Sequence, residues 1–283
     1  MEVFKMLIKQ RVAWAPNFIR RFGFFHGVRL LVSIEKDLSS NKKRVKSYKV
    51  PGYEAPFYLR DTVADHAIFK QCVVNEQYDF RKFPQSERLL KEYHSAISNG
   101  EQPLIIDCGG NVGLATRWFA KCFPEAQIVS VEPDIENFRL LTMNTESLGD
   151  RVVRLHGGVW NRPAKLKIIN PESGSAAFRV DELDVSSPDG LRAYTIDEIC
   201  ALQGRRSPFI VKIDIEGAQS VLFMDSPEWV SQTHLITLEL DDWLMPWKGT
   251  SRSFFRCVSC YPFDYLLGGE SIFCFRDFSE TVR

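Results

Sequence analysis

The 283-residue chain has no apolar run long enough to span a bilayer, and it has no net charge. Its most apolar early stretch, RLLVSI, falls far short of the about 20 residues that a membrane helix needs. No export signal is visible, so we expect a cytoplasmic protein whose seven cysteines stay as thiols. The single CxxC, Cys257 to Cys260, has no second pair and no nearby histidine pair to complete a zinc site. Buried structural thiols and no metal are therefore expected. Internal repeats and low-complexity tracts are also missing, which excludes solenoid and disordered architectures. With 45% hydrophobic and 25% charged residues, the chain can bury a large core.

The zero net charge hides an asymmetry. Residues 1–50 hold twelve Lys/Arg against three Asp/Glu, a net of +9, which leaves −9 for residues 51–283. Such a segment either faces water or meets an anionic surface, such as lipid head groups, glycolipid phosphates or an acidic partner. Residues 1–40 have the spacing of one or two basic amphipathic helices, interrupted near Pro16. Residues 39–49 suggest a polar linker, and 50–60 a turn followed by a strand. Residues 61–80 have helical spacing, with Asp61 or Thr62 as cap, and 86–100 form a helix that Gly100 stops.

From Pro103 the rhythm changes. The apolar runs PLIID, AQIVSVEP, RVVRLHGGVW, FIVKID and HLITLEL alternate with helix-like segments, among them 111–124 and 134–149, the latter capped by Asp134. Continuous apolar strands between helices mean a parallel sheet covered on both faces. AKLKIIN and AAFRV suggest an inserted hairpin, LRAYT a short strand, and TIDEICALQG a helix. DYLLGG and SIFCFR suggest a closing hairpin, antiparallel at the sheet edge. The expected architecture is thus α/β and doubly wound, with a mostly parallel sheet and an antiparallel edge strand. Three regions follow: a basic helical extension (1–50), a lead-in strand and helices (51–100), and the sheet domain (101–283).

In an open parallel sheet, ligands bind at the carboxyl ends of the strands, near the point where strand order reverses. Three acids stand at such ends: Asp107, Glu132 and Asp214. The loop Asp107-Cys108-Gly109-Gly110-Asn111-Val112-Gly113 can turn sharply and bring backbone against a ligand. Its glycines do not follow the GxGxxG of dinucleotide sites. A carboxylate beside them would repel a diphosphate and favour a cation, such as the ammonium or sulfonium of S-adenosylmethionine. Glu132 is suited to both hydroxyls of a ribose, a contact that NAD could also use. In VKIDIEGAQ, Lys212 and Asp214 share a strand face, and Glu216 extends it if the strand continues. A buried lysine needs a partner, for which Glu239 on the next strand is the candidate. Thr237, Glu239 and Asp241 alternate onto one side.

Three blocks, IIDCGGNVGLAT, VSVEPDIENFRLLTMNT and VKIDIEGAQ, together resemble the FkbM-type S-adenosylmethionine-dependent methyltransferases. FYLRDTVADHAIFKQCVVNEQYDF is similar to the lead-in of members that modify cell-surface glycans, and YTIDEI to the helix before the fourth strand. The resemblance runs from about Pro51 to the end of the sheet and leaves 1–50 uncovered. It implies the class I, Rossmann-like methyltransferase fold and methyl transfer to a hydroxyl on a sugar or polyketide. Asp107, Gly109, Asn111, Gly113, Glu132 and Pro133 match the family's cofactor positions, with Cys108 and Gly110 in the same loop. Lys212, Asp214, Glu216 and Gly217 match its KIDIEG block. Gln219, Gly110 and Leu240 depart from the pattern, the last where relatives often carry histidine.

Within that resemblance we expect Asp214 or Glu216 to orient or deprotonate the acceptor hydroxyl, while Lys212 and Glu239 fix the geometry. Asp214 would also face the cofactor. His156 is expected as a packed or adenine-side residue. A Mg²⁺ held by Asp214 with Glu239 or Asp241 is the alternative to a metal-free site. Trp243, Trp247, Phe254 and Phe255 follow the fifth strand, where aromatic faces would suit a sugar ring. The expected partner is a hydroxyl-bearing acceptor, with a lipid-linked or anionic membrane surface for residues 1–50 and no nucleic acid; a homo-oligomer is compatible with this. The rival readings are a dinucleotide oxidoreductase and a non-catalytic nucleotide-binding protein.

Overall fold

A computed structural model of the chain describes residues 14–38, 44–170, 179–183, 190–224 and 227–279. The start of the expected linker and part of AAFRV lie outside the described residues. The chain divides into two compact units, Met1–Glu76 and Gln77–Arg283.

In the first unit, α1 (Ala15–Phe22) and α2 (Phe24–Leu38) pack together. Pro16 does not interrupt them. It sits in the first turn of α1, where its missing N–H costs nothing. The break falls at Gly23, whose φ of 76° turns the chain out of the helix. Strand β1 (Val45–Tyr48) pairs antiparallel with β2 (Phe57–Arg60), so the expected linker ends in a strand. Helix α3 (Val63–Phe69) is capped by Thr62, whose hydroxyl accepts from the Asp65 N–H. A π-helical turn, Lys70–Val74, ends it short of the expected position 80. Buried Asp65 takes the Arg60 guanidinium at 2.8 Å, which ties α3 to β2.

The second unit begins with a 3-10 turn (Phe80–Lys82) and α4 (Gln85–Ser98). The helix stops at Gly100 as the sequence suggests, with φ 78°. Strands β3 (Leu104–Cys108), β4 (Gln127–Glu132) and β5 (Val152–His156) then alternate with α5 (Leu114–Cys122) and α6 (Ile135–Thr145). Beyond Gly157 the chain leaves the main sheet. A Cβ at Gly157 would overlap the main-chain oxygen of Arg192, so the strand expected over RVVRLHGGVW breaks there. Its second half, β6 (Gly158–Val159), joins β7 (Lys165–Ile168), β8 (Val180–Glu182) and β9 (Leu191–Tyr194) in a small sheet ordered β6-β9-β7-β8. Helix α7 (Ile196–Leu202), capped by Thr195, returns the chain to β10 (Ile210–Ile213). Helices α8 (Gln219–Leu222) and α9 (Trp229–Gln232) precede β11 (Leu235–Glu239). Helix α10 (Arg252–Val258) and the hairpin β12 (Phe263–Gly268) and β13 (Ser271–Arg276) complete the unit.

The main sheet is ordered β12-β13-β11-β10-β3-β4-β5. Strands β5, β4, β3, β10 and β11 are mutually parallel, and β13 runs antiparallel to both β11 and β12. The closing hairpin is therefore present, with the reversed strand one place in and β12 at the edge. This is the doubly wound class I arrangement. Strand order reverses between β3 and β10, the two central strands, so their carboxyl ends open the ligand crevice. All of β3 and β10 is buried, which is why these strands read as unbroken apolar runs.

The seven cysteines are free thiols, five of them buried; Cys260 is exposed and Cys122 partly so. Among the described residues no helix is long and apolar enough to cross a membrane. Gly27 sits where α1 and α2 touch: a Cβ there would lie 2.5 Å from the Phe18 carbonyl oxygen. Gly27→Ala should cost about 1–3 kcal/mol through forced separation of the helices, measured as a lowered urea midpoint. An unchanged midpoint would show that the crossing is loose.

Candidate active site

The buried ammonium of Lys212 organises the crevice. Lys212 is 2% exposed and stands in β10 with β3 on one side and β11 on the other. Its Nζ donates to the Gly109 carbonyl at 2.7 Å and lies 3.0 Å from Asp107 Oδ1 and 3.5 Å from Asp214 Oδ2. The partner expected from the sequence was Glu239. Instead Thr237 faces Lys212 across the strands, and Glu239 accepts a hydrogen bond from the Gln77 amide. Glu239 still feels the ammonium as an opposing positive charge.

Asp107 was expected to face a cationic cofactor. The structure puts it beneath the loop, fully buried, where it accepts from the Thr116 hydroxyl at 2.6 Å and pairs with Lys212. The cation it favours is the protein's own. Cys108 also points into the core, and burial pushes its thiol up, so its backbone rather than its thiol serves the site. That backbone carbonyl accepts from the Asp214 N–H at 3.0 Å.

The glycine loop has a geometric requirement at Gly109. Its φ is 85°, and a Cβ would overlap the Asp214 main-chain oxygen, so the loop lies directly against the end of β10. Gly110 presses on the Ser130 hydroxyl and Leu141, and Gly113 opens α5 with φ 84°. Asn111 adopts φ 47°, which asparagine tolerates by bonding locally; its Oδ1 accepts from the Val112 N–H at 2.8 Å. The Asn111 N–H in turn donates to Glu132 Oε2 at 2.8 Å, and the Asp134 N–H donates to Oε1 at 2.9 Å. Burial pushes Glu132 up to about 7, against the pull of those two N–H groups. Oε1 also takes a longer contact from the Asn137 amide at 3.4 Å, while Oε2 keeps a lone pair for a further donor, which suits a ribose hydroxyl.

Glu132 and the loop form one wall of a cleft lined also by Pro133, Asn137, Gly157, Gly158, Val180, Asp214 and Glu216. His156 is not on this wall. Its Nε2 lies 3.0 Å from the Pro133 carbonyl, and its ring packs on Phe138, so it steadies Pro133 from behind.

Opposite Glu132, acids crowd together. Strand β10 ends at Ile213, so Glu216 does not extend the alternation; it reaches the cleft because the chain turns at Glu216 (φ 33°) and Gly217 (φ 85°). Burial, then the charges of Asp214 and Asp241, push Glu216 up to about 7, with Arg179 opposing. Glu239 is pushed to about 8, by burial first and Asp214 second. Asp241, raised by burial, accepts from the Gly217 N–H. Among the described residues no three His, Cys, Asp or Glu converge closely enough to hold a metal ion.

Sequence reasoning missed Gln77 and Tyr78. The Tyr78 hydroxyl lies 3.5 Å from Asp214 Oδ2, and its ring faces Lys212 Nζ at 5.7 Å. The stretch NEQYDF is similar to a family lead-in, but nothing in its spacing links it to a strand end some 136 positions on. Asn137, Arg179 and Val180 were missed for the same reason. Of the aromatics after β11, Phe254 is a core residue. Trp243 and Trp247 are exposed, Trp247 by 98%, on a loop that Asp241 and Met245 hold against Gly217.

Residues 107–242 match the family described as the methyltransferase FkbM domain. The cofactor of such a domain is S-adenosyl-L-methionine, and the fold is the class I methyltransferase fold. The 2-O-methyltransferase NoeI of Sinorhizobium fredii is 24% identical over 195 residues, covering 60% of this chain and 79% of that protein. Two solved structures are weakly similar to this chain, with TM-scores under 0.5. Monomeric WbdD is 12% identical, covers 67% of this chain and has a TM-score of 0.37. The 16S rRNA N2 G1207 methyltransferase RsmC of T. thermophilus, in complex with AdoMet and guanosine, is 14% identical, covers 83% and has a TM-score of 0.35. The chain spans 41% and 50% of those two proteins.

Two substitutions probe the site's construction. Lys212→Met leaves Asp107 buried without its cation and should cost about 3–5 kcal/mol of stability, read from urea unfolding. Gly109→Ala should weaken S-adenosylmethionine binding on the order of ten-fold or more in calorimetry. Near-normal affinity would show that the loop does not shape the cofactor site.

Proposed function

We propose that this chain, a member through residues 107–242 of the FkbM methyltransferase domain family, methylates a hydroxyl of a carbohydrate. S-adenosyl-L-methionine supplies a methyl group made electrophilic by its sulfonium. The residues present suit that cofactor: Glu132 for the ribose hydroxyls, and the Gly109–Asn111 backbone for the end nearer β10.

The observation that carries the reading is Glu216 on the cleft wall beside Asp214, with its carboxyl held near 7. A hydroxyl is a poor nucleophile while it keeps its proton. A base whose pKa lies near the working pH is best placed to take that proton as the new bond forms. Glu216 fills that role, and Asp214 holds the acceptor hydroxyl in line. Lys212, buried below, touches no substrate. It is a positioning residue that fixes Asp214 against the glycine loop, with Tyr78 at its other side. Glu239, bonded to Gln77 and pushed up to about 8 by burial and by Asp214, is mostly neutral at pH 7 and so spares Asp214 a second full charge.

A carbohydrate acceptor is supported by Trp243 and Trp247, whose exposed rings lie on the loop anchored beside Glu216. Flat aromatic faces offer a sugar ring a large apolar contact. The similarity to a protein named as a 2-O-methyltransferase supports a hydroxyl as the group that is methylated.

A screen with methyl-labelled cofactor over sugars, glycolipids and nucleotide sugars should place label on a hydroxyl of one of them. Label only on amines, thiols or a non-sugar product would remove the carbohydrate reading. The pH dependence follows from Glu216. Its pKa is raised, so the base form is lost as pH falls, and kcat at saturating cofactor should drop below about pH 7. Glu216→Gln should lower kcat by about 10²–10⁴-fold and abolish that limb. A retained limb in this variant would transfer the base role to another group. Trp247→Ala should raise the acceptor KM with kcat little changed.

A further inference from the structure

We infer that the solvent face of α2, with the groove beside it, docks the protein on an anionic lipid surface. Helix α2 buries Gly27, Leu30 and Ile34 along one side and exposes Phe25, Arg29, Val32 and Lys36 along the other. That spacing, i, i+4, i+7 and i+11, makes a single stripe in which apolar and cationic side chains alternate. Phe25 is 85% exposed, Phe24 63% and Val32 59%. The two phenylalanines stand edge to face at the α1–α2 corner, with centroids 5.6 Å apart. Leaving two adjacent aromatic rings in water is unfavourable, and among the described residues the unit buries its other phenylalanines, Phe18, Phe22, Phe57 and Phe69.

Charge selects the occupant. Among the described side chains of residues 14–50, every exposed charged one is basic: Arg20, Arg29, Lys36, Arg44 and Lys49. The groove beside α2 is lined by His26, Arg29, Ser33, Ser47 and Lys49, over a floor that includes Leu30 and Val50. Two cations, an imidazole and two hydroxyls around an apolar floor fit a phosphate head group whose chains lie beside Phe25 and Val32. Rings at the acyl boundary and Lys/Arg at the phosphates are the pattern of a helix lying in the membrane plane. A folded acidic protein would match the charge and leave Phe24 and Phe25 without a purpose-built pocket. A bilayer accepts them without one.

The test is co-sedimentation of the full chain with vesicles of phosphatidylcholine alone and of phosphatidylcholine with phosphatidylglycerol. Binding is expected to the anionic vesicles only, and to weaken as salt rises. Phe24→Ser/Phe25→Ser should lose on the order of ten-fold in vesicle affinity, as should Arg29→Glu/Lys49→Glu. All four positions are exposed, so S-adenosylmethionine affinity and the circular dichroism spectrum should stay unchanged and report that the variants are folded. No sedimentation with either vesicle would overturn the inference. So would binding that both variants retain, which would move the contact to other basic residues of 1–50. Capture by heparin without vesicle binding would make the face a soluble-polyanion site and would also overturn it.

Discussion

The site depends on one ammonium group held out of water. Lys212 Nζ sits in the middle of a parallel sheet, where an unpaired charge would be intolerable, so the surrounding chain must supply acceptors. It does so from three directions at once: Asp107 from β3, the Gly109 carbonyl from the loop, and Asp214 from the end of its own strand. The ammonium is thus the point at which the two central strands, the glycine loop and the cleft's carboxylate are brought into one geometry. Asp107 and Lys212 neutralise each other below the loop, and Asp214 is left half in the cleft with its orientation set.

That arrangement explains why the remaining acids are so densely placed. Asp214, Glu216, Glu239 and Asp241 gather where β10 and β11 end, and burial first, then the charge of Asp214, raises the other three. Two positive charges offset part of this repulsion: the Arg179 guanidinium at Glu216, and the Lys212 ammonium, buried beneath Asp214, at Glu239. Burial and this repulsion together push Glu216 up to about 7 and Glu239 up to about 8, which a water-exposed surface would not produce. Glu132, across the cleft, is likewise raised chiefly by burial, and its two backbone N–H donors keep it oriented for hydroxyl partners.

Part of this was legible in the residues. Acids at the ends of three of the apolar runs, glycines at set places after the first, and a lysine inside the fourth pointed to the sheet, its switch point and the residues there. The partner of Lys212 was not legible, because two strands flank β10 and both offer acids; only the register, with Asp107 and Thr237 opposite Lys212, separates them. Nor was the burial of Asp107, since a carboxylate before a glycine loop can face the ligand or the core. The break after His156 was hidden because Gly157 and Gly158 read as permissive residues within a strand, whereas the close passage of Arg192 makes the first of them necessary.

The local pattern of side chains, by itself, determined the order of elements, the parallel sheet, the glycine-loop position and the acids at the strand ends. These follow from periodicity, capping and the backbone freedom of glycine, which act over a few residues. Tertiary structure alone decided which acid neutralises Lys212, that Asp107 lies below the cleft while Asp214 and Glu216 line it, and that Gln77 and Tyr78 support the site. It alone raised Glu216 and Glu239 toward neutrality. The physical reason is that burial and charge–charge repulsion depend on distances through space, and those distances join residues that the chain itself keeps more than a hundred positions apart.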